Sequence, residues 1–355
     1  MKAVVYHGPG ELRVDDVPEP VIVEPEDCLV RVTMASICGS DLHVLHGLMP
    51  EMRPGTIIGH EFVGVVEEVG AAVARFRAGT RVVGPAAVWC GRCRACRRGL
   101  PMACEKGAIF GSGPLFGDLA GAQAELVRVP FADTTLQPIP EDLPDEQVIL
   151  AGDILPTGYS AVVGLNPGSR GVQAGDTVVV FGAGPVGLCA VASARLFNPA
   201  QLIAVDMEPY RLALARDLGA SAVIDASRVD VRKRIYELTE GWGAEYVIEA
   251  VGREGSLRDA VAVAAPGGCL SVVGVFQRPT VLNLPRMLAK NVCFCIGMGD
   301  LRNIPRLLEL VGTKKLDLGR LVTHCLPLRE AVHAYEIFAK RVQGAVKVML
   351  IPGEG

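Results

Sequence analysis

Two patterns of apolar residues divide the chain. Over roughly the first 150 residues the apolar runs are short, as at 28–32, 61–69 and 81–83, and Gly55, Gly59, Gly70 and Gly79 punctuate them. Short runs broken by turn residues predict a β-rich domain of barrel or sandwich type. From about residue 177 the pattern changes. Continuous runs of the buried type recur at 177–181, 202–205, 222–224, 246–249 and 269–273, and helical stretches fill 186–197, 209–218, 231–239 and 256–264. Strands alternating with helices predict a doubly wound parallel sheet, an α/β fold. A further run at 292–296 reads as its last strand. Beyond it, 304–311 and 329–340 have helical periodicity and 346–351 reads as strand; this tail is too short for a domain and is expected to pack back onto the first one.

Length supports that division, since 355 residues exceed one ordinary domain. Hydrophobic residues make up 50% of the chain, ample for two cores. One window, 177–194, carries no charge and approaches the ~20 residues that span a bilayer. Gly182, Gly184, Pro185 and Gly187 interrupt it, which turns it into strand, tight turn and helix. The first ten residues lack the basic stretch and apolar core of a secretory signal. A soluble, cytoplasmic protein without membrane contact is therefore expected. The net charge of -4 and pI near 5.9 provide no basic field for nucleic acid. Eleven cysteines in such a chain point to thiols and metals rather than to a disulfide framework.

The segment Gly182-Ala183-Gly184-Pro185-Val186-Gly187 follows a β-branched strand and opens a helix. The three glycines of such a turn allow a tight bend, close approach of a pyrophosphate and close packing of helix on strand. The pyrophosphate would lie on the unpaired N–H groups of the helix start. Asp206 follows the last glycine by nineteen residues, at the end of the second strand, where a carboxylate binds ribose hydroxyls and repels a ribose phosphate. NAD is expected over NADP, with Arg211 nearby as a residue that tempers the preference.

Cys90, Cys93, Cys96 and Cys104 fall within fifteen residues. Four thiolates in one loop suit tetrahedral zinc, and a site filled by protein on all four positions is structural. An iron–sulfur cluster is the rival reading of the same spacing. Arg92, Arg94, Arg97 and Arg98 are expected to offset the thiolate charge.

Cys38-Gly39-Ser40-Asp41-Leu42-His43 and Gly59-His60-Glu61 contain a thiol, imidazoles and carboxylates, but spacing alone does not bring them together. Taken with the four-cysteine lobe and the glycine turn, these motifs resemble, over essentially the whole chain and in the same order, the zinc-containing medium-chain dehydrogenase/reductase family of the alcohol dehydrogenase type. The resemblance implies a GroES-like catalytic domain (1–156 and 297–355, with the zinc lobe at about 88–106) and a Rossmann domain (157–296). It implies a catalytic zinc on Cys38, His60 and Asp153, the last being four positions before the Thr157-Gly158 pair. Glu61 is then a supporting or alternate ligand, and Asp41 supports the loop. By the same resemblance Ser40 takes the alcohol proton and passes it through the cofactor ribose to His43, Thr157 touches the nicotinamide, and Lys347 neutralises the pyrophosphate.

The resulting expectation is an oxidoreductase with two zinc ions per chain that exchanges a hydride between an alcohol and NAD, acting as a homo-oligomer, tetramer or dimer. Polyol, threonine or formaldehyde dehydrogenases are alternatives within the family. A non-catalytic NAD-binding redox sensor is an alternative of another class, and would be expected to have lost Cys38, Ser40, His60 or Asp153. Substrate-pocket residues are expected in the apolar loops 48–53, 109–116 and 298–301.

Overall fold

The computed structural model describes residues 1–49 and 51–353. The chain divides into two compact units, Met1–Asp153 with Leu301–Gly355, and Ile154–Asp300.

The first unit is built on a seven-stranded sheet. In space its strands run Gln137–Pro138, Arg81–Gly84, Phe62–Val69, Cys28–Ile37, Lys347–Ile351 and Val322–Pro327, and Leu126–Val129 also pairs with Cys28–Ile37. Every pairing is antiparallel except that of the last two strands of the path. The tail thus rejoins the first domain through a central strand of its sheet. Inward residues such as Val30, Val32, Phe62, Val66, Val82, Val127 and Leu350 form the core. Phe62 and Phe110 meet edge to face there, with centroids 5.4 Å apart, a favoured aromatic geometry.

Strand Cys28–Ile37 is longer than the apolar run 28–32 predicts, because Thr33 and Ser36 break the hydrophobic pattern. Ser36 is nevertheless fully buried. The register explains why: Ala35 lies opposite Phe62, Met349 lies opposite Ser36 and Val348 opposite Ile37. Ser36, Glu61 and Lys347 are thereby brought to one end of three adjacent strands.

The second unit is a six-stranded parallel sheet. Its spatial order is Ala222–Asp225, Gln201–Asp206, Thr177–Phe181, Ala244–Glu249, Ala264–Val272 and Cys293–Ile296. The order reverses between the first and fourth strands of the sequence, the switch point of a doubly wound sheet. Strands such as Thr177–Phe181, with no exposed position, bury both faces as parallel sheets do. The helices include Pro185–Arg195, Pro209–Asp217, Val231–Leu238 and Glu254–Val263, close to their expected positions. Helix Ile154–Val163, which the sequence pattern does not single out, opens this unit. Among the described residues no helix is long and apolar enough to cross a membrane.

Candidate metal centre and dinucleotide turn

Cys38 ends the long strand, and the next seven residues form helix Gly39–Leu45. Asp41, at the third position of that helix, accepts a hydrogen bond from the Cys38 amide at 2.9 Å. A carboxylate there also suits the positive end of the helix. Its other oxygen lies 3.3 Å from His60 Nδ1. Asp41 therefore ties one motif to the other and leaves His60 Nε2 facing the remaining donors.

Those donors converge. Asp153 Oδ2 is 3.6 Å from both Cys38 Sγ and His60 Nε2, and Ser40 Oγ is 3.2 Å from His60 Nε2. One ligand atom from each of Cys38, His60, Glu61 and Asp153 lies within 4.8 Å of the others. Asp153 follows the short helical turn Ile149–Gly152 and uses its carboxylate on Cys38 and His60.

Glu61 is held differently. One oxygen pairs with Lys347 Nζ at 2.6 Å and the other accepts from the Ser36 hydroxyl. Lys347 also donates to the Ile37 carbonyl at 3.0 Å, and both members of the ion pair are fully buried. This corrects the expectation of a pyrophosphate contact: the ammonium is committed to Glu61 and a strand end inside the first unit. Burial opposes its charge, but Glu61 and then Cys38 hold its pKa above the ordinary value.

The same donor set shapes the other groups. Burial, followed by the Glu61 charge, pushes the Cys38 thiol up. Burial works against a charged His60, yet Asp41 and then Asp153 outweigh it and hold its pKa well above normal. An excess of anionic donors around one point is the electrostatic imprint of a cation site. Sulfur, imidazole nitrogen and carboxylate oxygen at these separations suit zinc, and Cys38, His60 and Asp153 would be the residues that hold it.

Three residues of this network, Ser36, Gln123 and Tyr335, carry no mark in the sequence. Gln123 donates to the Ser36 carbonyl at 3.1 Å and to Asp41 at 3.2 Å, and accepts from the Tyr335 hydroxyl at 2.9 Å. All of these partners are buried and more than 80 residues from Gln123, so no local motif marks it. Gly59 reveals it indirectly. Its φ is +89°, and a Cβ there would stand 2.3 Å from the Gln123 side chain.

The four-cysteine lobe fits a metal by a numerical test. Zinc–sulfur bonds of about 2.3 Å in a tetrahedron place the sulfurs about 3.8 Å apart. The observed separations are 3.5 Å for Cys93–Cys96, 3.6 Å for Cys104–Cys90 and 3.9 Å for Cys93–Cys104. Backbone amides of Cys96 and Glu105 bring the Cys93 thiol down to about 6, whereas burial and then Cys93 push Cys96 up to about 12. Neighbouring thiols cannot all ionise unless a cation joins them. The arginines play a smaller part than expected. Arg92 forks onto Glu26, and Arg97 donates to the Arg92 carbonyl. The first support for the sulfur charge comes from the main chain.

In the second unit, Gly182 has φ +92°, and a Cβ on Gly187 would stand 1.7 Å from the Gly182 carbonyl oxygen, so neither position admits a side chain. Pro185 and Val186 begin the following helix, where proline costs no hydrogen bond. Asp206 accepts from the Ala183 amide at 2.6 Å, Met207 at 2.7 Å and Glu208 at 3.0 Å, which fixes its carboxylate beside the turn. Arg211 Nη1 lies 3.7 Å from a Cβ built on Gly184. Thr157, on helix Ile154–Val163, packs against Gly299.

Other expected residues sit as follows. His43 is half-buried, one helical turn beyond Ser40, and burial followed by His46 lowers its pKa. Of the loops assigned to the substrate, 48–53 contains Pro50, which lies outside the described residues. Leu48, Leu115 and Met298 are exposed apolar side chains.

The family model described as "Alcohol dehydrogenase GroES-like domain" matches residues 24–141, and that described as "Zinc-binding dehydrogenase" matches residues 185–312. An alcohol dehydrogenase of Cupriavidus necator is 37% identical, with 99% of each chain covered. The solved structure of alcohol dehydrogenase TADH from Thermus sp. ATN1 is 41% identical, with a TM-score of 0.92 over 99% of this chain and 100% of that one. A zinc-binding dehydrogenase from Sinorhizobium meliloti 1021, solved bound to NADP, is 29% identical, with a TM-score of 0.86 over 99% of each chain. The chain belongs to the zinc-containing medium-chain dehydrogenase/reductase family, with a GroES-like domain and a Rossmann domain, and is an oxidoreductase of the alcohol dehydrogenase type.

Proposed function

We propose that this chain is an NAD-linked alcohol dehydrogenase with two zinc ions, converting primary or secondary alcohols to aldehydes or ketones as a cytoplasmic homo-oligomer. The observation that carries the reading is the convergence of Cys38, His60 and Asp153 beside the Ser40 hydroxyl. Cys38, His60 and Asp153 would hold one zinc, and Cys90, Cys93, Cys96 and Cys104 the other. When bound, zinc at the first site supplies Lewis acidity to a substrate oxygen and the nicotinamide supplies the hydride acceptor.

The chain's own residues do the rest. The Cys38 thiolate and the Asp153 carboxylate would together match the charge of a divalent ion held between them. Asp41 fixes the His60 ring through Nδ1, and Gln123 and Tyr335 hold Asp41 and its surroundings in place. Ser40 is the hydroxyl that takes the substrate proton, and His43, kept neutral by its half-burial, is the base that receives it, with the ribose of a bound cofactor as the bridge between them. Gly182, Gly184, Pro185, Val186 and Gly187 form the pyrophosphate turn, and Thr157 contacts the nicotinamide. Asp206 favours the free ribose hydroxyls of NAD, and Arg211 leaves some affinity for NADP.

The test is NADH formation across a panel of aliphatic, aromatic and polyol alcohols, with metal counted per chain in the same preparation. Alcohol-dependent NADH and about two zinc ions per chain are expected. Zinc-replete protein that reduces neither NAD nor NADP with any alcohol sinks the proposal.

A further inference from the structure

We propose that Cys269, Cys293 and Cys295 form a third metal site, a three-thiolate site for a soft monovalent ion of the copper(I) class, across the last two strands of the Rossmann sheet. These cysteines belong to neither cluster described above. The parallel register sets Cys269 directly beside Cys293, and Ser271 beside Cys295. Side chains alternate along a strand, so Cys293 and Cys295 project from one face, and in-register neighbours share that face. Phe294, between them, points to the other face and packs against the hydrophobic core.

The spacing meets the same test that the four-cysteine lobe meets. Metal–sulfur bonds of about 2.3 Å separate thiolates by about 3.8–4.0 Å. Cys293 and Cys295 sulfurs are 3.8 Å apart, and all three sulfurs lie within 4.8 Å of one another. Closing onto an ion needs a displacement of at most about an ångström at Cys269 and none between the other two.

The donor set chooses the ion. All three donors are sulfur, and no histidine or carboxylate completes the group among the described residues. Structural zinc takes four protein ligands, and hard cations take oxygen. Copper(I) is soft and accepts three thiolates. Cys269 is fully buried, Cys295 half-buried and Cys293 exposed, which grades the site from a dry floor to an open entrance. Tyr246, the in-register neighbour of Cys269 on its other side, carries the Arg170 guanidinium 5.8 Å from its ring. That cation, although paired with Asp176, offsets part of the negative charge three thiolates would leave.

The test uses zinc-replete, reduced protein under anaerobic conditions. Copper(I) is added in the presence of the chelator bicinchoninate, and copper and zinc are counted per chain after gel filtration. About one copper per chain should be retained with the zinc content unchanged, and retention should fall roughly tenfold or more in Cys293→Ser and in Cys295→Ser. Cys293 is exposed, so its serine variant tests ligation without emptying the core; a circular-dichroism spectrum matching the parent verifies this. Equal copper retention by parent and variants, copper gained only as zinc is lost, or a reduced protein that takes up none overturns the site.

Discussion

The two candidate metal clusters of the first unit are built in opposite ways. The four-cysteine lobe is local: its ligands span residues 90 to 104, and its charge is supported by amides of the same loop. The Cys38 cluster is assembled from distant segments. Cys38 and Asp153 are 115 residues apart, and Lys347 reaches Glu61 across 286 residues. A local loop forms its site when the metal arrives, so binding energy there is folding energy. A site carried on strands is positioned by the sheet, so binding energy there is available for chemistry.

The sharpest break between them is Cys38→Ala. Turnover should fall by on the order of 10³ or more, the scale of lost charge stabilisation, while thermal unfolding and NADH fluorescence titration stay near the parent. Retained turnover would exclude Cys38 as an essential ligand. Cys96→Ser should do the reverse: a stability loss of roughly 3 kcal/mol, or about 5–10 °C in Tm, from weakened metal linkage, with kcat per folded active site preserved. A scan showing no Tm change counts against a structural metal.

Acidity gives the next contrast. Cys38 and His60 both have raised pKa values in the metal-free cluster, so both hold protons at neutral pH. Metal uptake must release them, and affinity therefore rises with pH and weakens as pH falls. Each displaced proton contributes about tenfold per pH unit, so lowering pH from 7 to 6 should weaken zinc binding at this site by up to about 100-fold. Activity recovery of stripped protein at buffered free zinc measures it; a flat profile would mean the cluster is already deprotonated.

Asp41→Asn should reduce zinc affinity and kcat about 10- to 100-fold, since His60 loses its anionic orienting partner. An effect on stability alone would make Asp41 a loop support and nothing more. The smallest effect belongs to the second unit. Asp206→Ala should erode the NAD over NADP ratio of kcat/KM by about tenfold, and an unchanged ratio would remove Asp206 from cofactor selection.

Lys347 shows what one-dimensional reading misses. A lysine in a terminal strand is ordinarily a surface charge, and its sequence neighbours say nothing of a carboxylate in Glu61. Gln123 is similar: its three contacts come from a strand, a short helix and the tail. Ser36 even misled the strand prediction, because the pattern reads a buried hydroxyl as a break in an apolar run. Each is a buried polar group, satisfied only through partners that folding supplies.

What the sequence determined by itself was everything carried by spacing. The strand–helix rhythm of 177–296, the glycine turn with Asp206, and the four thiols of one loop depend on neighbours a few residues apart, and short-range geometry constrains them directly. Only the tertiary structure decided that Asp153 closes on Cys38 and His60, that Lys347 serves Glu61 rather than a phosphate, and that Cys269 meets Cys293 and Cys295. Those meetings are set by strand register and sheet order, which depend on the packing of the whole unit and leave no mark in any short stretch of chain.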